Sequence, residues 1–429
     1  MDTHAYTVLE FHTLLDTIGA QTQTSRGRQT IAGLRPATRL SDLAERATLY
    51  AEVMALLAVD VPLPGLQFDD LDEILRSVVP EGAVLDGIEL VACRALMDTA
   101  LGAAVFLRRE ECAASVRLRA LATRVQPCDA LRNRLYHCLD NDGTVLDSAS
   151  DLLRSLRRRV TQVGLRLQKT LECMVQDQQF ASVVQESFVT TRNDRFVIPI
   201  RREAKASIPG FIHDHSNSGA TVFVEPTATL PMGNELADLR LQVRDEIRRI
   251  LAELSSQVRA AAPVLRVTQD ALVELDAAFA VGRWGSSYRC VSAQAGNALK
   301  LIQARHPLLE RQLRQEGRQG DLVPLEFTPP GGIQAVVVTG SNTGGKTVTL
   351  KTIGLLVLMA QTGLPVPVDP SSRFPWFDHI YADIGDEQSL TASLSTFSAH
   401  MGHVTAIFAG VRRGRSLVLL DELGAGTDP

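Results

Sequence analysis

The chain is poor in cysteine, and the six it has are scattered at positions 93, 112, 128, 138, 173 and 290 with no C-x-x-C pair. That spacing excludes the usual zinc and dithiol redox motifs and fits a reducing compartment. An excess of positive charge is missing too: 44 Lys and Arg face 49 Asp and Glu, a formal net charge of −5. Any nucleic-acid site must therefore be local. The N-terminus, with Asp2, His4 and Glu10, lacks the basic start and apolar stretch of a signal peptide. The longest apolar stretch expected, around Leu355–Ala360, is too short to span a bilayer. These absences point to a cytoplasmic protein with no membrane partner. What is present, 45% hydrophobic and 22% charged residues, is the balance of a soluble globular chain. Its 429 residues exceed one core, so about two to four domains are expected.

The organisation reads as multidomain, α plus α/β. Residues 1–130 carry helical periodicity, broken at Pro62, Pro64 and Gly65, and form a helical core domain. From Ala149 to Asp177 apolar residues fall at Leu152, Leu156, Val160, Val163, Leu167, Leu171 and Met174, a coiled-coil-like seam. A second seam runs through Leu236, Leu239, Val243, Ile247, Ile250, Leu254 and Val258. Between them Ser187–Thr191 and Arg195–Ile200 flank Asn193-Asp194, a hairpin signal, and Phe211–His213 and Thr221–Val224 read as two more strands. The spacing predicts antiparallel lever helices over 131–265 with a small β tip at about 185–226. Residues 266–298 then return to the helical core, and 299–429 form an α/β domain with strands at 335–339, 379–384 and 416–420.

Residues 340–347 read Gly340-Ser341-Asn342-Thr343-Gly344-Gly345-Lys346-Thr347, the full phosphate-loop pattern G-x-x-x-x-G-K-[ST]. A β-branched run, Ala335–Thr339, precedes it and a long apolar helix, Val348–Gln361, follows. Glycines let the backbone approach, the amides face phosphate oxygens, and the helix N-terminus favours negative charge. Lys346 would neutralise the β- and γ-phosphates of ATP, and Thr347 would ligate Mg²⁺. An apolar strand, Leu417–Leu420, ends in Asp421-Glu422, 75 residues after Lys346. Asp421 would hold Mg²⁺ and Glu422 would act as general base on the attacking water. Between them, Ser393–Met401 reads as a capped helix start.

Gly340–Thr347, Ile384-Gly385-Asp386-Glu387-Gln388-Ser389, Leu394-Ser395-Thr396-Phe397 and Asp421-Glu422-Leu423-Gly424-Ala425-Gly426-Thr427 together resemble the ATPase of the MutS family, an ABC-type P-loop ATPase that dimerises on DNA. The resemblance is specific over about 300–429, and Arg305-His306-Pro307 is similar to the entry of that domain. It implies an ATP hydrolase. Ser395 matches the signature serine that reaches the γ-phosphate of the opposite subunit, Asn342 the loop asparagine near that phosphate, and Gly424–Asp428 the loop that crosses the interface. Each site is then shared between two copies, a homodimer gated by ATP. The stretches Ile208–Asp214, Ser218–Thr221 and Val224–Pro226 look like the second bacterial paralogue, the MutS-two branch, whose members resemble recombination suppressors with a C-terminal Smr nuclease domain and have also been linked to collided ribosomes. There is no room for the mismatch-reading and connector domains of the repair branch. Phe223-Val224-Glu225 matches the Phe-x-Glu pattern but reads as strand, not as a base wedge.

The chain stops at Pro429, inside the interface loop, so a fragment or a natural truncation is expected: an incomplete ATPase domain, weak hydrolysis, and no nuclease activity from this chain. Leu152–Lys205 holds eleven Lys and Arg against five Asp and Glu. Arg157, Arg158, Arg159, Arg192, Arg195, Arg201, Arg202 and Lys205 are the candidate nucleic-acid contacts, with a solvated helix face as the bland alternative for Arg157–Arg159. The leading reading is an ATP-gated clamp on branched DNA that suppresses recombination. An ATPase that senses or splits collided ribosomes through the same clamp is the alternative, and mismatch recognition is weaker. A chromosome-organising ATPase is disfavoured by the 75-residue spacing, since those proteins divide the site across hundreds of residues.

Overall fold

A computed structural model describes residues 3–180, 182–205, 207–340, 345–384, 402, 405, 407–411 and 415–421. The helices are α1 (Thr3–Val8), α2 (Phe11–Gly19), α3 (Ser25–Ala32), α4 (Leu40–Ala58), α5 (Asp72–Ser77), α6 (Gly87–Leu107), α7 (Val116–Ala122), α8 (Asp129–Cys138), α9 (Asp151–Gln176), α10 (Leu230–Ser287), α11 (Pro307–Gln315) and α12 (Lys346–Thr362). The strands are β1 (Thr190–Arg192), β2 (Arg195–Arg201), β3 (Gly210–His215), β4 (Thr221–Pro226), β5 (Leu301–Ala304), β6 (Leu325–Phe327), β7 (His379–Asp383) and β8 (Ser416–Leu420). They form two compact units, one of residues 1–70, 95–127 and 264–429, the other of 71–94 and 128–263. The chain passes between the units four times, twice inside a helix, within α6 and within α10.

The second unit holds the two long helices and the four-stranded sheet. Ser150 caps α9, accepting the Leu153 amide at 3.0 Å, and its hydroxyl donates to Glu246 at 2.7 Å. Nine residues further along α9, Arg159 meets Glu235 at 3.6 Å. Partners rising on one helix and falling on the other make the pair antiparallel. The buried seam of α9 is Leu153, Leu156, Val163, Leu167, Leu171 and Val175. Leu152, expected on the seam, is 55% exposed, and Met174 is only half-buried. With 3.6 residues per turn, adjacent apolar positions compete at the seam's ends, and Leu153 and Val175 win.

The sheet order is β1-β2-β4-β3, antiparallel throughout. Asn193 and Asp194 turn the first hairpin with φ of 48° and 61°, the left-handed pair a two-residue hairpin turn needs. Ile198, Ile200, Val222 and Val224 pack onto Leu156, Leu167, Leu171, Leu236 and Leu239, so one side of the sheet closes over the two helices. That burial, at about 25 cal/mol per Å² of apolar surface, is what holds a sheet of such short strands in place.

The second seam and the return helix are one element. α10 is a single helix of 58 residues with Pro263 inside it. Proline lacks the N–H owed to the Arg259 carbonyl. The helix survives because Val258 and Ala262 on one side and Leu265 on the other are all buried. In the first unit its C-terminal half is central: Leu272, Leu275, Phe279 and Trp284 are buried, and the fully buried Asp276 accepts the amides of Gln23 and Thr24 at 3.0 and 2.9 Å and the Thr24 hydroxyl at 2.7 Å.

Two expectations need correction. Residues 335–339 form no ladder among the described residues, and Val336, Val337 and Val338 are 51, 83 and 39% exposed. β-Propensity favours a strand only where a neighbour completes the ladder. A longer apolar segment than Leu355–Ala360 also exists: α6, 21 residues, is long and apolar enough by composition to cross a membrane. Just over half of its most apolar window is buried inside the fold, including Leu90, Leu96, Met97 and Phe106.

Candidate functional site

The first unit builds its candidate site where a helix begins and two parallel strands end. β7 and β8 pair in parallel, His379 with Ser416 through Asp383 with Leu420. The Asp421 amide donates to the Asp383 carbonyl at 3.0 Å, which extends the ladder by one step and fixes the Asp421 backbone. Opposite, α12 starts at Lys346 behind Gly345, whose φ of +82° is a left-handed turn that a side chain would strain. The Gly345 carbonyl then accepts the Thr349 amide at 2.9 Å, so the helix is hydrogen-bonded from its first turn.

Across this junction the Thr347 hydroxyl donates to an Asp421 carboxylate oxygen at 2.6 Å. Residues 74 apart in sequence therefore bring two hard oxygen donors together at a helix N-terminus, beside the half-buried Lys346. Two such donors suit Mg²⁺, which keeps several waters and uses one or two carboxylates. Among the described residues no cluster of three or more His, Cys, Asp or Glu could hold a metal alone. Asp383 ends β7 at the same strand edge as Asp421. Sequence reading passed over it, although an apolar strand ending in Asp was the signal already used for Asp421.

α12 is held firmly. Residues from Thr352 to Thr362 are buried. A Cβ on Gly354 would come within 2.6 Å of both Leu9 and Leu419, so Gly354 lets the N-terminal segment and β8 close on the helix together. Lys351 pairs with Glu10 at 3.1 Å. Beside them His306 caps α11 through Nδ1, accepting the Leu309 amide at 3.3 Å. Burial pushes its pKa down to about 4, Glu10 opposing and Lys351 adding to the shift.

Of the nucleotide residues expected from sequence, Gly340, Gly345, Lys346, Thr347 and Asp421 are described. Ser341, Asn342, Thr343, Gly344, Ser395 and Glu422 lie outside the described residues.

The expected nucleic-acid residues lie in the second unit and divide in two. Arg157 pairs with Asp147 at 2.6 Å, Arg159 with Glu235 at 3.6 Å, Arg192 with Asp214 at 3.3 Å and Arg195 with Glu225 at 3.3 Å. Arg158, Arg201, Arg202 and Lys205 are exposed, with no carboxylate partner among the described residues. Phe223, of the Phe-x-Glu triplet, is buried beneath the Arg192 guanidinium at 4.4 Å, and Glu225 is buried against His213 and Arg195. The triplet is strand, as its sequence reads.

Comparison with known proteins is consistent along the chain. Residues 336–429 match the family model described as MutS domain V. The chain is 38% identical over 429 residues to an endonuclease MutS2 of Halalkalibacterium halodurans, covering 98% of this chain and 53% of that protein. It is 37% identical over 437 residues to that of Exiguobacterium sibiricum, covering 100% and 54%, and 36% identical over 435 residues to that of Ruminiclostridium cellulolyticum, covering 100% and 53%. The chain spans about half the length of the curated relatives it matches.

Proposed function

We propose that this chain, which belongs to the MutS family, is an ABC-type P-loop ATPase whose nucleotide site, within a domain of about 299–429, gates a nucleic-acid clamp made of α9, α10 and the four-stranded sheet. The observation that carries the reading is the meeting of Thr347 and Asp421 at the start of α12. Bound ATP would lay its phosphates along the Gly340–Thr347 turn, with Lys346 as the point charge on the β- and γ-phosphates. Mg²⁺, held by Thr347 and Asp421, would supply charge neutralisation on the phosphate oxygens. Thr347 and Asp421 orient one another, Gly345 keeps the approach open, and Glu422 would take the proton of the attacking water. Ser395 would complete the site of a second copy, so turnover would require a homodimer.

The relatives' name, endonuclease, supports nucleic acid as the clamped polymer, with branched DNA and recombination as the finer reading. No observation favours the ribosome or mismatch alternatives. Calorimetry with ATP and Mg²⁺ tests the nucleotide site. Lys346→Ala is expected to abolish binding, and Asp421→Asn to leave binding without Mg²⁺ near wild type while removing the gain that Mg²⁺ brings. ATP binding retained by Lys346→Ala would refute the assignment.

A further inference from the structure

The motif from Gly210 to Asp214 plays no part in the nucleotide site, yet it places an aromatic side chain in solvent. Phe211 is 60% exposed and its neighbour Ile212 45%. Both lie on β3, an edge strand of the sheet. An exposed phenylalanine on a loose loop would need no explanation, but this one is held from several directions. The Asn193 side-chain amide donates to the His213 carbonyl at 3.1 Å. His213 Nε2 meets the buried Glu225 carboxylate at 2.7 Å, and Asp214 pairs with Arg192 at 3.3 Å. Gly210 lies so close to β4 that a Cβ would come 2.4 Å from the Glu225 carbonyl oxygen.

The register places these groups on one side. Phe211 pairs with Glu225, Asp214 with Phe223 across a bulge at His213, and Arg201 with Thr221. Cross-strand partners share a face, and Thr221, Phe223 and Glu225 alternate with the core residues Val222 and Val224. Phe211, Asp214 and Arg201 therefore lie on the face opposite Val222 and Val224, where Arg192 stacks on Phe223 and Gly233 and Asn234 of α10 meet Glu225 and Arg195. The bulge matters: without the extra residue Asp214 would turn to the other face and Arg192 would lose its anchor.

We propose that Phe211 is a stacking platform for an unpaired nucleobase, with Arg201, Arg202 and Lys205, at the other end of the sheet, contacting phosphates farther along the strand. The proposal rests on the nucleic-acid reading above and narrows it to strands with exposed bases. An aromatic ring on a β-sheet face with cations farther along the same sheet is an arrangement that suits single strands, because every base offers a π-face. Charge argues for this occupant over a second protein: Arg201, Arg202 and Lys205 are exposed without carboxylate partners among the described residues, whereas the acids of this face, Asp214 and Glu225, are already paired. The fully paired interior of a duplex would leave Phe211 without a base to stack on.

The test uses the 429-residue chain and two DNA probes of equal length, one a full duplex and one with a short single-stranded gap carrying 2-aminopurine. Wild type should quench the 2-aminopurine. Phe211→Ala should lose the quench and bind gapped DNA about tenfold more weakly, while its duplex and ATP binding stay at wild-type values; Phe211→Trp should restore both signals. Unchanged quench and affinity in Phe211→Ala overturn the platform and leave the clamp intact. A wild-type chain that binds neither probe overturns the clamp reading as well. A change in sedimentation on Phe211→Ala with no change in DNA binding assigns Phe211 to a contact between copies and overturns the proposal.

Discussion

His306 shows how one residue can carry a pH dependence through the fold. Its Nδ1 must be unprotonated to accept the Leu309 amide, and burial independently disfavours the cation, so the pKa falls from 6.5 to about 4. A folded-state pKa below the unfolded one means the contribution is complete above about pH 6.5 and is lost as pH falls toward 4. Over that window it amounts to about 3 kcal/mol. The urea midpoint of wild type should therefore fall between pH 6.5 and 4 more steeply than that of His306→Asn, which keeps a capping acceptor but does not titrate. Parallel profiles for the two proteins would show that His306 is not responsible. At this scale the sequence was most legible at the turn before α12, because glycine, lysine and threonine there have few other reasons to occur in that order. It was least legible at Asp276, which no motif marks and which the fold buries against the amides of Gln23 and Thr24 from the other end of the chain.

Among the elements, α10 carries the clearest prediction. Pro263 is exposed and contributes nothing to the core, yet it removes a hydrogen bond from the middle of a 58-residue helix. Pro263→Ala restores the Arg259 acceptor's partner and relieves the ring clash, a gain of up to about 3 kcal/mol, from which about 1 is lost because the unfolded chain becomes freer. The melting temperature should rise; a fall would mean that packing on either side requires the proline's bend. The same helix marks a limit of pattern reading. The second seam, ending at Val258, and the helical return from 266, with Pro263 between them, suggest two helices, and only the burial of Val258, Ala262 and Leu265 around the proline makes them one. The hairpin at Asn193-Asp194 was legible because its turn is local. The strand expected at 335–339 was not, because a strand is defined by its neighbours.

At the scale of the whole molecule, the scattered cysteines offer a test of how completely the two units are packed. Cys173 is exposed and Cys128 half-buried, while Cys93, Cys112, Cys138 and Cys290 are buried. Burial pushes the Cys93 thiol up to about 12 and Cys290 higher still, so neither forms a thiolate at neutral pH. Ellman's reagent should titrate one thiol quickly, a second more slowly, and the remaining four only after denaturation. Three or more fast thiols would show that a core is more open than described. Charge behaves similarly at this scale: the basic stretch from Leu152 to Lys205 loses much of its apparent excess once Arg157, Arg159, Arg192 and Arg195 find carboxylates.

By itself the sequence determined what depends on neighbours along the chain: the helix start behind Gly345, the apolar seams, the hairpin turn and the carboxylate at the end of an apolar strand. Each is written within one turn or one strand length, where backbone geometry dictates residue type. The tertiary structure alone decided what depends on distant partners. It brought Thr347 to Asp421, drew four of the candidate arginines into ion pairs, buried Phe223, and left Phe211 in solvent on an anchored edge. Those outcomes turn on which surfaces meet, and no local period in the sequence encodes that.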